Sequence, residues 1–329
     1  MSERALLLIA SDFQPLRESL DGIDGPLRAV EQATIAHYRG DMRQSALSDD
    51  VRDNDHGMNS FRVSLAAGIH APTGMRIFGN PPNSRCYLLF DGESRKLRAL
   101  MDYGVLNSLR VGAIAALAAQ RLAEHETQVL GMLGSGWQAR TQVQAMLRVF
   151  PGLQRIQVFS PTQAHRESFA LEMSDWLDVP VVAVSSAEAA TRDADVVTLV
   201  APAHDGIREP LLESAWVKPG AVIISTAGNQ SSEKFVDQCR VVVGTWQGLF
   251  EDPSPRQPYT RRIQAGTLRK SDVIELGAVL VDGVNPRTLA TDIVLYELTP
   301  VYQQDLFVAE WGLSWARERG LGIAFDLSD

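Results

Sequence analysis

The central part of the chain alternates short apolar runs with longer amphipathic stretches. Val129–Leu133 is an apolar run of strand length, and the next stretch places Ala139, Val143 and Met146 at helical spacing. Further apolar runs of strand length follow at similar intervals, at residues 156–159, 181–184, 196–200, 221–225 and 241–244. Because strands that alternate with helices build parallel sheets, the pattern predicts an α/β fold with a doubly wound parallel sheet.

Helical stretches fill the intervals between these runs. They are predicted at residues 139–149, 163–177, 187–191, 211–216 and 232–237, and helical spacing returns over 265–280. Residues 241–244 are the last strand that the pattern predicts for this sheet. The proline-rich segment 251–259 is typical of a loop.

The first hundred residues mix the two periodicities. Residues 5–10 predict a strand and residues 27–38 an amphipathic helix. Short strand-like runs occur at residues 62–67, 74–78 and 86–91, with turn-forming residues between them. We therefore expect a separate α+β unit with an antiparallel or mixed sheet.

Two more helices are predicted on either side of the central part. Residues 107–124 are rich in Ala and Leu and lead directly into the Val129–Leu133 strand. Residues 305–319 form an amphipathic helix with Leu306 and Leu313 on its apolar face. That face needs a partner surface, which is either the first domain or a second subunit.

A glycine-rich turn, GSGWQA, joins the Val129–Leu133 strand to the helix after it. Gly134 permits the tight turn, Gly136 lets backbone amides approach a pyrophosphate, and Ala139 is small enough for the helix to pack on its strand. The positive end of the helix dipole then faces the anion. The turn predicts a dinucleotide site. The residues predicted to line it are Val111, Gly134, Ser135, Gly136, Trp137, Gln138, Ser160, Pro161, Thr162, Arg166 and Ala201.

The residue that follows the second predicted strand, 156–159, indicates which of the two nicotinamide cofactors is preferred. An NAD-specific site places Asp or Glu there to bind both ribose hydroxyls, whereas this chain has Ser160. Ser160 and Thr162 do not repel a 2′-phosphate, and Arg166 lies one turn into the next helix. Against this, Pro161 removes one backbone donor from the approach of the phosphate. The balance predicts a slight preference for NADP(H) over NAD(H).

Composition narrows the class of protein and its partners. The 329 residues, of which 45% are hydrophobic, suffice for two domains with a core each. The net charge of −9 argues against nucleic acid or an anionic membrane as the main partner. With neither an apolar run of the roughly 20 residues that span a membrane nor a signal-peptide pattern, a cytoplasmic location is expected. Neither the two cysteines, Cys86 and Cys239, nor the histidines show metal-ligand spacing, so no metal is expected.

Three segments occur in order along the chain: RVGAIAALAAQRLA, LGMLGSGWQA and AWVKPGAVIISTAGNQ. Together they resemble the ornithine cyclodeaminase/mu-crystallin family of nicotinamide-dependent proteins. The resemblance implies a homodimer in which each subunit has a Rossmann domain inserted into a substrate-binding and dimerisation domain. The implied bounds are 1–112 plus 303–329 for the substrate-binding and dimerisation domain, and 113–302 for the Rossmann domain.

The resemblance also implies how a substrate is held. Family members bind the substrate α-carboxylate with basic residues, and by motif and spacing these roles fall on Arg52, Arg76 and Arg110. Three guanidinium groups in one pocket suit a dianionic or strongly acidic substrate, because arginine binds carboxylates through paired hydrogen bonds. Asn229 stands where ornithine cyclodeaminases have an aspartate, and an amide cannot act as a general base.

Three functions are compatible with these residues. The first is an NAD(P)-dependent oxidoreductase that transfers hydride at the C–N bond of a small carboxylate-bearing α-amino or α-imino acid. The second is an ornithine cyclodeaminase, an ammonia lyase that reduces and reoxidises bound NAD within one turnover. The third is a catalytically silent nucleotide-binding protein, which departures from the family pattern at Arg76, Val111, Asn229 and Leu298 suggest. We favour the first, because reduction of an iminium group needs no strong base.

Overall fold

A computed structural model describes residues 4–53, 57–68, 71–79, 85–201, 212–226, 230–250, 256–299 and 301–327, except for the side chains of 46–53 and 57–62. The chain divides into two compact units. The first comprises Met1–Ala113 and Val301–Asp329, and the second comprises Ile114–Pro300. Each unit is built around its own β-sheet.

Strands and helices are numbered along the chain. The strands are β1 Ala5–Leu8, β2 Met42–Asp53, β3 Gly57–Gly68, β4 Ala71–Gly79, β5 Cys86–Phe90, β6 Leu97–Asp102, β7 Val129–Leu133, β8 Arg155–Phe159, β9 Val181–Ala183, β10 Val196–Leu199, β11 Val222–Ser225, β12 Cys239–Val243, β13 Ile274–Glu275, β14 Ile293–Glu297 and β15 Ile323–Phe325. The α-helices are α1 Ala10–Phe13, α2 Pro15–Glu18, α3 Asp24–Arg39, α4 Gly104–Leu122, α5 Trp137–Val149, α6 Gln163–Trp176, α7 Ala187–Thr191, α8 Glu233–Val236, α9 Tyr259–Gln264, α10 Leu276–Asp282 and α11 Tyr302–Glu318.

The first unit contains a mixed sheet, which in the described residues has the strand order β15-β1-β6-β5-β4-β3-β2. β1 is parallel to β6, and the other neighbours are antiparallel. β15 pairs with β1, so that Ala5 lies opposite Phe325. Helix α11 packs against α3 and against β3, β4 and β5, and its predicted apolar face is buried at Leu306 and Leu313. The partner surface of this face therefore lies within the first unit.

The second unit contains a parallel sheet, with the order β13-β12-β14-β11-β10-β7-β8-β9 over the part of the chain that is described. All of its neighbouring strands pair in parallel. Successive strands extend outward in both directions from β7, which lies between β10 and β8. In such sheets, ligands bind outside the carboxyl ends of the strands where the order reverses. The predicted fold class, a doubly wound parallel sheet together with an α+β unit, is confirmed.

The second sheet differs from the sequence prediction in one central strand. Residues 241–244 were predicted as the last strand, but β14 lies between β11 and β12 and pairs with both. The predicted helix over 265–280 is wrong in its first part, where the structure has a 3₁₀ turn at Lys270–Asp272 before α10 begins. Charged residues in that turn leave it without an apolar face. Similarly, the predicted helix at 211–216 is a 3₁₀ turn, Ser214–Trp216, within its described residues.

The core of the second unit fixes the strands whose ends form the candidate site. Leu133, Val197, Ile223 and Leu295 come from four neighbouring strands, and Phe235 of α8 belongs to the same buried hydrophobic cluster. Full burial of such a side chain is worth about 1.5–3 kcal/mol, so these strand ends are firmly held. Within the described residues, no helix has the length and apolar character that crossing a membrane requires.

Candidate functional site

Gly134 follows β7 and turns the chain at the carboxyl edge of the second sheet. Its φ of +126° lies in a region that residues other than glycine rarely adopt. Its N–H donates to the carbonyl of Phe159 over 2.8 Å. A Cβ atom at Gly134 would lie 2.8 Å from the amide nitrogen of Ala201, which is too close for any side chain. Glycine therefore allows the chain segments after β7, β8 and β10 to approach one another.

Gly136 precedes helix α5 and borders open space. A Cβ atom added there would meet no heavy atom within 4 Å. The first amides of a helix have no acceptor inside it, and the helix dipole adds positive potential. Trp137 and Gln138 lie in this first turn, with Trp137 47% exposed, and Ala139 is fully buried behind them. The N-terminus of α5 can therefore receive an anion such as a pyrophosphate.

Polar groups join the end of β8 to the glycine turn. The hydroxyl oxygens of Ser135 and Ser160 lie 2.9 Å apart. Nη1 of Arg166 donates to the carbonyl of Ser160 over 2.9 Å, and its guanidinium carbon lies 5.6 Å from the ring centre of Phe159. Arg166 therefore places a positive charge beside Ser160.

Most of the predicted cofactor residues come together at this edge of the second sheet. Ala201 follows β10, and its N–H donates to the carbonyl of Leu133 over 3.0 Å. Pro161 and Thr162 are exposed after β8. Val111, in contrast, belongs to the first unit, where it is a half-buried residue of α4. A role for any of these residues in cofactor binding stays a prediction.

Two of the predicted carboxylate-binding arginines meet in the first unit. Nη1 of Arg76 on β4 lies 3.0 Å from Oδ2 of Asp305, and Nε of Arg110 on α4 lies 3.1 Å from Oδ1. The Asp305 side chain is only 2% exposed, and those of Arg76 and Arg110 are 14% and 9% exposed. Arg52 belongs to β2, but its side chain lies outside the described residues, as does the whole of Asn229.

The remaining contacts of the two arginines fix their orientation. Nη2 of Arg110 donates to the side-chain oxygen of Asn107 over 2.9 Å. Nη2 of Arg76 donates to the hydroxyl of Ser64 over 3.3 Å, and its guanidinium carbon lies 4.9 Å from the ring centre of Tyr302. Nε of Arg76 is buried without a hydrogen-bond partner. The arginine pair is thus held by neighbours on several elements and retains donor capacity.

Tyr87 of β5 completes what we call the Asp305 cluster: Arg76, Tyr87, Arg110 and Asp305. Its hydroxyl donates to Oδ1 of Asp305 over 2.9 Å. Burial, and then the charge of Asp305, raise the pKa of Tyr87 well above its usual value. Burial lowers the pKa of Arg76, but attraction to Asp305 and the surrounding tyrosines outweighs it and raises the pKa overall. Tyr87 therefore keeps its proton and Arg76 its charge at neutral pH.

Asp305 was not among the residues that the sequence singled out. It lies in the first turn of α11, with Ala309, Leu313 and Ala316 on the same face, and all three of these are fully buried. A carboxylate on the apolar face of a helix requires a buried cationic partner. That pattern was the available signal, but it does not indicate which arginines provide the partner.

A second buried carboxyl group lies at the carboxyl end of β14. Oε1 of Glu297 is 3.4 Å from Nη1 of Arg256, and Glu297 pairs in register with Ser225 of β11. Burial raises the pKa of Glu297 to about 7, although Arg256 and a hydrogen bond from Ser225 act in the opposite direction. Leu298, which follows it, is buried. Glu297 therefore titrates near neutral pH at the carboxyl edge of the second sheet.

Comparison with known proteins defines the family. Residues 68–311 match the ornithine cyclodeaminase/mu-crystallin family, and the chain belongs to it. Ketimine reductase mu-crystallin of Mus musculus is 31% identical over 216 residues, which cover 66% of this chain and 63% of the mouse protein.

Solved structures share the fold over nearly the whole chain. Thermococcus litoralis Delta(1)-pyrroline-2-carboxylate reductase in complex with NADH and L-proline has a TM-score of 0.82 at 22% identity, covering 97% of this chain and 100% of that one. An archaeal alanine dehydrogenase dimer with bound NAD also has a TM-score of 0.82, at 21% identity, covering 98% and 99%. At these identities, the likeness establishes the fold.

Proposed function

We propose that the protein is an NAD(P)-dependent oxidoreductase that transfers hydride at the C–N bond of a small α-imino or α-amino acid. It is thus an imine reductase or an amino-acid dehydrogenase. The observation that carries this proposal is the buried arginine pair of the Asp305 cluster. Arg76 and Arg110 stand at positions to which the family resemblance assigns binding of the substrate α-carboxylate. Both guanidinium groups are largely buried, and guanidinium groups bind carboxylates through strong charged hydrogen bonds.

The second unit supports the binding of a dinucleotide. The backbone at Gly134 has no room for a Cβ atom, and the space before α5 at Gly136 is open. When bound there, the nicotinamide cofactor supplies the hydride. We further propose a slight preference for NADP(H), since Ser160 carries no charge that would repel a 2′-phosphate and Arg166 lies beside it.

Hydride transfer to a C=N group requires the side chains mainly to bind and orient the substrate. The arginines hold the carboxylate, which fixes the position of the adjacent C=N carbon. A protonated C=N group accepts hydride without a general base, so an amide at Asn229 is compatible with reduction. Deamination in the manner of a cyclodeaminase is disfavoured by the same amide, because it cannot remove a proton.

The names of relatives point in the same direction. The mouse relative is a ketimine reductase, and one structural neighbour is a reductase in complex with NADH and L-proline. The archaeal neighbour is a dimer, which supports our proposal that this protein is a homodimer. We propose that residues 1–112 with 303–329 bind substrate and dimerise, and that residues 113–302 bind the cofactor.

A turnover screen tests the proposed function. The purified protein is mixed with NADH or NADPH and a panel of cyclic imino acids, and with 2-oxo acids plus ammonia or methylamine, while nicotinamide absorbance is followed. Consumption of reduced cofactor with equal formation of amino acid is the expected result. Ammonia release from ornithine without net absorbance change would identify a cyclodeaminase, and cofactor binding without any turnover would identify a silent protein.

A further inference from the structure

The Asp305 cluster carries less positive charge than its arginines alone provide. Among the side chains in direct contact, Arg76 and Arg110 contribute two positive charges, and Asp305 removes one. Tyr87 donates a hydroxyl hydrogen to Asp305 and adds no charge. The cluster therefore has a net charge of one positive unit. The sequence-based count of three arginines, which predicted a dianionic or strongly acidic substrate, omitted this carboxylate, and its third member, Arg52, has its side chain outside the described residues.

Asp305 is fixed in its place among the cations. Its two oxygens accept hydrogen bonds from residues of β4, β5 and α4, and its side chain is 2% exposed. Rotation away from the arginines would leave a buried carboxylate without a partner, which is strongly unfavourable. The carboxylate therefore stays beside the arginines when a ligand binds, and it contributes its charge to the bound state.

We propose that Asp305 is a specificity-determining residue that adapts the arginine pair to substrates with a single carboxylate. The inference rests on the proposed function, because it takes Arg76 and Arg110 as the group that binds the substrate carboxylate. One carboxylate neutralises the remaining positive charge of the Asp305 cluster, whereas a second would be desolvated without a further cation from within that cluster. The arginine pair with Asp305 thereby favours imino or amino acids with one carboxylate over those with two.

Two isosteric variants of one helix test this assignment. Asp305→Asn raises the cluster from one positive charge to two with almost no change in shape. Glu310→Gln is the matched control, because Glu310 is an acidic residue of the same helix whose oxygen lies 2.7 Å from Arg98 at a site 28% exposed. Calorimetry of the NADH-saturated protein at about pH 8, where carboxyl groups are ionised, gives the dissociation constants of succinamate and succinate. These probes have the same heavy-atom skeleton and one or two negative charges.

The wild-type protein and Glu310→Gln are expected to bind succinamate more tightly than succinate, with the same ratio of dissociation constants. Asp305→Asn should shift this ratio toward succinate by at least about tenfold, which corresponds to about 1.4 kcal/mol. A loss of folding alone would weaken both ligands and leave the ratio unchanged. An unchanged ratio in a folded Asp305→Asn protein would overturn the proposal.

A second variant changes the charge in the opposite direction. Ser64→Asp places a carboxylate beside Arg76, whose Nη2 already contacts Ser64 at 3.3 Å, and reduces the cluster to neutrality. Succinamate binding should then fall by at least about tenfold, and unaltered binding would contradict the assignment. If the ratio shifts as expected but no imine is reduced, the proposed function fails and the charge assignment stands. If imines are reduced but the ratio is unchanged, the proposed function stands and the charge assignment fails.

Discussion

The hydroxyl oxygens of Ser135 and Ser160 lie 2.9 Å apart and connect the glycine turn after β7 to the end of β8. This contact places Ser160 directly beside the turn that is predicted to bind the pyrophosphate. In NAD-specific sheets of this kind, the end of the second strand bears a carboxylate for the ribose hydroxyls. An uncharged residue at this point is therefore the feature on which the cofactor preference depends.

Replacing Ser160 with Asp should reverse the cofactor preference. The new carboxylate would repel a 2′-phosphate but could accept hydrogen bonds from the ribose hydroxyls of NADH, so NADPH affinity should fall at least tenfold, by more than about 1.4 kcal/mol. Dissociation constants for NADH and NADPH at fixed ionic strength give the result. Ser271→Asp, at an exposed position of the same unit, is the control. Tenfold tighter NADH binding by the wild-type protein would refute the preference.

Replacing Gly136 with Asp should abolish dinucleotide binding and leave the fold intact. The space that a Cβ atom would enter is open, so the fold tolerates the side chain, but its carboxylate would occupy the position of the pyrophosphate and repel it. Titration with NADH and NADPH measures the effect. Gly92→Asp, where a Cβ atom also meets nothing within 4 Å, is the matched control. Retained affinity for both cofactors in Gly136→Asp would place the cofactor elsewhere.

Replacing Arg110 with Met should lower kcat/KM for the substrate at least tenfold, because a charged hydrogen bond to a carboxylate is worth more than about 1.4 kcal/mol. The apolar chain preserves packing volume on α4. Arg98→Met provides the control, since Arg98 also forms an ion pair with a carboxylate of α11, at a more exposed site. Steady-state kinetics of both variants, with thermal unfolding to verify folding, would separate binding from stability. Equal kinetic losses in the two would argue against a substrate role for Arg110.

Glu297 should make the stability of the protein decrease as the pH rises toward neutrality. Its pKa in the folded protein is raised by burial from 4.5 to about 7, so between these values the folded state keeps a proton that the unfolded chain has lost. The free energy of unfolding therefore falls with rising pH in this window, by about 3 kcal/mol in total, and levels off above it.

Glu297→Gln removes this titration, and the decrease in Tm across the window should become smaller. Thermal unfolding at several pH values measures the difference. Glu233→Gln is the control, because Glu233 forms an exposed ion pair with Arg261 in the same unit. If the pH profiles of the wild type and Glu297→Gln coincide, the carboxyl group titrates as an ordinary exposed one.

The sequence predicted those parts of the fold that depend on local pattern. The glycine turn, its strand and its helix follow from residues 129–149, which contact one another along the chain. By contrast, β14 was missed although Ile293–Tyr296 is an apolar run of strand length. Its position between β11 and β12, which both precede it in the sequence, is visible only in the sheet. Asp305 was missed because Arg110 and Arg76 are 195 and 229 residues away from it.

The distance along the chain between Asp305 and its arginines has a consequence for synthesis on the ribosome. Arg110 is translated 195 residues before the carboxylate that accompanies it in the folded protein. Until α11 emerges, the first unit would have to bury two guanidinium groups without a counter-charge. The second unit, whose strands are all made before α11, can fold earlier. Nascent chains stalled ahead of α11 should therefore be cut by protease in β4 and β5 but be protected in β7 and β10.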